Sequence, residues 1–228
     1  NNHGPILDLR GVQLGASFGG VLDLENLHII TRRNTDTELR LDDSTGIDLI
    51  RVRDTFNVGY EGSWDGDARI GNPNDNWRLP SGLDLEIGEW GASRGIWRVG
   101  VKTGNRTFDA ELTMKGGDVT AWLSLLDVGH SGMGFSPNAT LYRATGVLDM
   151  YDVGSVTIDT ETLRVGTEQG NDQRNGRGTW RLGGGTVQAG TVKFGNRPWT
   201  AEHPYDNQGW AVVDISNAMV TVTQSMWV

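Results

Sequence analysis

Hard oxygen donors crowd into one stretch of this chain, between Trp64 and Asn76. Asp65, Asp67, Asn72, Asn74, Asp75 and Asn76 supply the carboxylate and amide oxygens that Ca²⁺ prefers. Calcium is therefore the one metal the sequence offers a site, although the spacing follows neither the EF-hand loop nor the Gly-rich calcium repeat. Asx side chains also close turns on their own backbone, which is the competing account of the same residues. No other cofactor is expected. Asp42, Asp43, Asp65 and Asp67 are the densest acids, the residue type a polysaccharide lyase or hydrolase would use, but no base can be assigned beside them. The histidines (His3, His28, His130 and His203) lie far apart and in no zinc spacing. His130 follows Gly129 in a Gly-rich stretch that reads as a flexible loop, and neither this stretch nor any other forms Gly-x-Ser-x-Gly. Gly183, Gly184 and Gly185 are not followed by the Lys-Ser/Thr of a phosphate loop. We expect no active site.

Tryptophan is the other residue type that could bind, because its flat face stacks on sugar rings while its bulk also fills cores. The chain has nine. Five of them recur in one module: an apolar residue, Gly, a polar loop of variable length, then Trp. The module reads Val58-Gly59 to Trp64, Ile70-Gly71 to Trp77, Ile87-Gly88 to Trp97, Val165-Gly166 to Trp180 and Phe194-Gly195 to Trp199. Three copies continue as Trp-Arg-apolar, at Trp77, Trp97 and Trp180. Repetition in a strand-like context points to a structural role for these. Thr179 and Arg181 flank Trp180 and must face away from it. Trp90 and Trp210 stand outside the module and are the glycan-stacking candidates.

The elements that must position these residues are short strands. A second pattern, apolar-Asp-apolar, occurs at Asp8, Asp23, Asp48, Asp84, Asp127, Asp149 and Asp214. In a strand the flanking apolar residues share one face and the Asp takes the other. We read these acids as solvated outer-face residues partly neutralised by arginines, since a stack of like charges would need cations, arginines or stagger. From Leu126 to Leu148 is 22 residues, from Leu83 to Leu126 is 43 and from Leu148 to Val213 is 65, near one, two and three times 22. Coil-length periodicity of this kind marks a solenoid. The earlier spacings of 15, 25 and 36 do not fit.

Between Ser155 and Gly195 five period-2 fragments, starting at Ser155, Thr162, Gly178, Gly185 and Gly190, are each opened or closed by Gly. The run from Thr162 to Gly195 resembles the repeats of bacterial autotransporter-type passenger domains and related surface β-helix proteins. The resemblance is best over residues 140–228 and looser over 45–100. It implies a right-handed parallel β-helix, secretion, and a surface or matrix role. An antiparallel jelly-roll sandwich is the alternative fold. The whole of 1–228 reads as a single β-solenoid domain, with irregular coils in 1–80 and more regular repeats in 81–228.

Composition agrees with strands. There are 33 glycines, about twice the usual share. The absence of cysteine excludes disulfides and Cys-ligated metals. A net charge of −9, with Arg32-Arg33 and Arg51/Arg53 the densest basic pairs, argues against nucleic acid as a partner. No apolar run is long enough for a membrane helix. The resemblance implies an extracellular or cell-surface bacterial protein, and without an active-site constellation we expect it to be structural or adhesive rather than enzymatic. We expect it to self-assemble through open solenoid ends into a homo-oligomer or homopolymer, with surface glycans as further partners. A polysaccharide-acting β-helix enzyme and a carbohydrate-binding module are the alternatives.

Overall fold

A computed structural model describes residues 6–8, 20–29, 37–40, 46–60, 68–70, 82–101, 108–132, 142–167, 174–195 and 209–228. They form two parallel sheets between which the chain alternates. Sheet 1 holds seven strands: β1 (Ile6–Asp8), β3 (Thr37–Arg40), β5 (Ala68–Ile70), β8 (Phe108–Lys115), β10 (Tyr142–Asp152), β12 (Arg174–Leu182) and β14 (Trp210–Ile215). Sheet 2 holds eight: β2 (Val21–Ile29), β4 (Leu49–Tyr60), β6 (Asp84–Ile87), β7 (Gly95–Val101), β9 (Asp118–Val128), β11 (Ser155–Val165), β13 (Gly185–Phe194) and β15 (Ala218–Trp227). Strands β6 and β7 lie end to end, pairing successive segments of β4 and β9. Each coil lays one strand position in each sheet, and every ladder between coils is parallel. This is a β-solenoid with no helix among its described residues. The jelly-roll alternative fails, because its strands would pair antiparallel.

Period-2 patterning builds the core. In β11 the order is exposed-buried over Ser155 to Ile158, with Val156 and Ile158 pointing inward. Equivalent positions then stack from coil to coil. Val52, Ile87, Ala121, Ile158 and Val187 form one inner column, and Phe56, Trp97, Leu126, Leu163 and Val192 another, all buried. Sheet 1 contributes Leu112, Leu148 and Trp180, each fully buried. Trp97 stacks on Phe56 with ring centroids 6.0 Å apart. Burial of each such side chain contributes about 1.5–3 kcal/mol. Trp97 and Trp180, the module tryptophans described here, are thus core residues, as alternation requires.

The passage from sheet 1 to sheet 2 is a two-residue turn in successive coils: Gly116-Gly117, Val153-Gly154, Gly183-Gly184 and Ser216-Asn217. Among the described residues Asn217 is the one non-glycine at positive φ, at 51°, and Asn is among the residues that tolerate that region best. An apolar-Gly step recurs at or beside the C-terminal ends of sheet 2 strands, including the module copies Val165-Gly166 and Phe194-Gly195. Gly59, Gly100, Gly129, Gly166 and Gly195 all have φ between 59° and 67°. At Gly100, Gly129 and Gly166 the chain leaves sheet 2 against the backbone of the sheet 1 strands β10, β12 and β14.

Coil length corrects the period of 22. Register pairs Val119 with Val156, Ile158 with Val187 and Val187 with Val220, which are offsets of 37, 29 and 33 residues. The apolar-Asp-apolar motif misleads because it occurs in both sheets: Leu126 lies in sheet 2 and Leu148 in sheet 1. The 65 residues from Leu148 to Val213 are two coils, through Trp180, not three. The five fragments between Ser155 and Gly195 are three strands, since β11 and β13 each unite two of them.

Candidate functional site

Each sheet 2 strand breaks its ladder at one place. Pairing skips Ser124 and Glu161 between β9 and β11, Gly190 between β11 and β13, and shifts between Ala189 and Thr191 against β15. The other coils spend one or two residues at this corner. The coil of β6 and β7 spends Gly88 to Arg94, closed as a small hairpin by Glu89 N–H donating to Ser93 O at 2.9 Å and Ser93 N–H to Glu89 O at 3.1 Å. Gly88 must be glycine: its φ is 78°, and a Cβ would lie 2.2 Å from Trp122 O.

This hairpin delivers Trp90 and Arg94 to the outer face of sheet 2. Trp90 is 58 % exposed and packs on Trp122 of β9, centroids 4.8 Å apart at 51°. Arg94 lies 3.6 Å over the Trp122 ring, donates to Leu123 O at 2.8 Å, and pairs with Asp159 at 2.9 Å and Glu161 at 3.3 Å. Beyond Trp90 runs a groove of about 270 Å³. Thr157 and Asp159 of β11, Thr186 and Gln188 of β13, and Met219 and Thr221 of β15 line it. Gln188 Nε2 donates to Asp159 at 3.4 Å. An exposed, braced indole beside hydroxyl, amide and carboxylate groups is an arrangement that takes a polyhydroxylated ligand: the ring meets an apolar face and the side groups meet hydroxyls.

Aspartates of the apolar-Asp-apolar motif sit in charge ladders. Asp23, Arg51 and Glu86 occupy one outer column, with Arg51 Nε 2.6 Å from Glu86 and Arg53 Nη2 2.7 Å from Asp23. The Arg53 partner holds the Asp23 carboxyl below its ordinary value. In sheet 1 the column is Asp149, Arg181 and Asp214, at 2.8 and 3.5 Å. Arginine neighbours therefore relieve the acid stacks. Such exposed pairs are each worth under about 1 kcal/mol but penalise wrong register.

A third column, Arg98, Asp127, Arg164 and Lys193, departs from that pattern. Asp127 is fully buried rather than solvated, and Arg164 Nη2 pairs with it at 2.5 Å. Burial outweighs the arginine and pushes the Asp127 carboxyl up to about 6. His130 is buried too, 5 % exposed, with Nδ1 2.7 Å from Thr167 Oγ1. Burial, reinforced by Arg164, holds its imidazole down to about 3, so it is neutral. The expectation of a flexible loop at His130 is corrected: the side chain is enclosed between two coils.

Of the sequence candidates, Trp90 and Trp210 are both exposed, at 58 % and 57 %, but they do not share a platform. Trp210 lies on sheet 1, beside Arg177 in register. Asp65, Asp67, Asn72, Asn74, Asp75 and Asn76, and Asp42 and Asp43, lie outside the described residues. Among the described residues no group of three or more acidic or histidine side chains could hold a metal. Trp122 was missed, although Val119, Ala121 and Leu123 point inward and their alternation turns Trp122 outward. Comparison with protein-family models, with curated proteins and with solved structures finds no match to this chain.

Proposed function

We propose that this protein is an adhesive β-solenoid of the bacterial surface type, resembling autotransporter passengers, and that it holds a glycan in the groove beside Trp90. The observation that carries the reading is the braced Trp90–Trp122 pair at the head of a groove whose apolar wall is studded with threonine, glutamine and aspartate side chains. Asp159 and Glu161, the carboxylates nearest the groove, are both tied to Arg94, which supports binding rather than bond cleavage. Trp90→Ala is expected to weaken glycan binding about tenfold or more, the worth of one stacked ring, with the unfolding midpoint unchanged. Titration by tryptophan fluorescence against a glycan panel checks it. Retained affinity in Trp90→Ala, or release of new reducing or unsaturated ends by the wild type, would sink the reading in favour of another site or of an enzyme.

A second reading, association of copies, is favoured by the coil of β14 and β15. Along outer columns Arg177 gives way to Trp210, Thr179 to Val212, Thr186 to Met219 and Lys193 to Trp227, and these four are 55–61 % exposed. Large apolar side chains are thus exposed on the outer faces of both sheets in this coil, and exposed apolar surface of this kind marks interaction sites. Wild-type protein is expected to self-associate with rising concentration in sedimentation velocity, and Trp210→Ser/Trp227→Ser to remain monomeric. A wild type that stays monomeric throughout rejects it.

A further inference from the structure

We infer, on the reading that the groove binds glycan, that its ligand is an uncharged linear saccharide laid along the solenoid axis, spanning the coils of β9 to β15.

The direction follows from register. Thr157, Thr186 and Met219 occupy one outer column, and Trp122, Asp159, Gln188 and Thr221 occupy the next. The groove therefore crosses strands instead of following one. Neighbouring strands are about 4.8 Å apart, so three steps from Trp122 to Thr221 cover about 14 Å. A pyranose in an equatorially linked chain advances by roughly the same spacing. Successive sugars can thus meet successive coils, each offering equivalent polar groups: Thr157 with Asp159, then Thr186 with Gln188, then Thr221. A branched or compact ligand would use one coil and leave the column idle. Trp90 and Trp122 stand at one end, where a terminal ring can stack.

The charge class follows from the fate of Arg94. Its guanidinium is committed to Leu123 O, Asp159, Glu161 and the Trp122 face. Among the described residues no Lys or Arg lines the groove, and its wall carries Asp159. A carboxylated or sulfated sugar would meet carboxylates without a free positive partner, inside a chain of net charge −9. A neutral sugar meets only donors and acceptors.

The test uses ladders of one to six residues of neutral β-1,4-linked glucose, mannose and N-acetylglucosamine, with β-1,4-linked uronic acid ladders beside them, titrated at low salt. Affinity for at least one neutral ladder is expected to rise about tenfold between two and four residues, as one or two further hydrogen-bonding steps engage, and then to level off. Thr186→Val/Thr221→Val keeps shape and strand preference while removing two hydroxyls. It is expected to reduce that gain below threefold. Uronic ladders are expected to bind at least tenfold more weakly. Equal affinity for two and six residues, an unaltered gain in the double variant, or preference for the acidic ladder each overturns the inference while leaving glycan binding itself standing. If none of the saccharides binds, the function proposed above fails with it.

Discussion

Gly166→Ala should unfold the coil of β14 and β15 and cost more than about 4 kcal/mol, a large share of a domain's total stability. Two penalties combine. Gly166 has φ 62°, where an alanine Cβ costs roughly 1–2 kcal/mol. That Cβ would also lie 1.8 Å from Trp210 O and 2.3 Å from its carbonyl carbon. The obstacle is backbone, so no rotamer change relieves it, and the strand that would move is held in the β12–β14 ladder from Arg177–Trp210 to Leu182–Ile215. Gly82→Ala is the control. Gly82 has φ 90° with nothing within 4 Å of an added Cβ, so it isolates the conformational penalty of about 1–2 kcal/mol. Because a solenoid's stability is nearly a sum over neighbouring coils, the damage should be local first. Hydrogen exchange should show β14 and β15 losing protection while β9 and β11 keep theirs. A Gly166→Ala protein within 1 kcal/mol of Gly82→Ala would show that this junction is not where the coil closes.

The same residues show how far the sequence could be read. Val165-Gly166 and Phe194-Gly195 repeat visibly, and their meaning, a strand end with a left-handed residue, is local chemistry that one chain segment determines. Membership of the repeat module likewise separates buried Trp97 and Trp180 from exposed Trp90. Coil length is not local. Asp127 of sheet 2 and Asp149 of sheet 1 carry the same three-residue motif in different sheets, so the distance between them measures part of a coil and suggests a false period. The groove was hidden for the same reason. Trp90, Asp159, Gln188 and Thr221 come from four coils and share no motif, and only register makes them neighbours. The Trp90 hairpin looked like one more variable loop between Ile87-Gly88 and Trp97. Its distinguishing property, an insertion at a corner that other coils turn with one or two residues, exists only once the coils are aligned.

Opposing proton linkages at Asp127 and His130 should make two single variants diverge as pH falls. His130 titrates near 3 in the fold against 6.5 when unfolded, so the unfolded state takes up the proton first. Its contribution is complete above pH 6.5 and is lost on acidification toward 3, about 5 kcal/mol over the window. Asp127 runs the other way. Its carboxyl titrates near 6 in the fold against 3.8 unfolded, so the folded state takes up the proton first, and stability rises by about 3 kcal/mol between pH 6 and 4. In the wild type the two terms largely cancel across that interval. His130→Asn keeps a hydrogen-bonding group toward Thr167 and removes the titration. Its unfolding free energy relative to wild type should therefore climb by roughly 1 kcal/mol for each pH unit below 6.5. Asp127→Asn should fall relative to wild type between pH 6 and 4 by a comparable slope. Arg164 contacts Asp127 and disfavours charge on His130, and Arg98 and Lys193 act in the same sense from neighbouring coils. All three keep their charge throughout this range, so they set the size of the slopes and not their sign. Urea unfolding at pH 7, 6, 5 and 4 reads both differences. Profiles parallel to wild type would mean that water reaches these side chains and that the cluster is not sealed between coils; slopes of opposite sign would place both groups in the dry seam that the register creates.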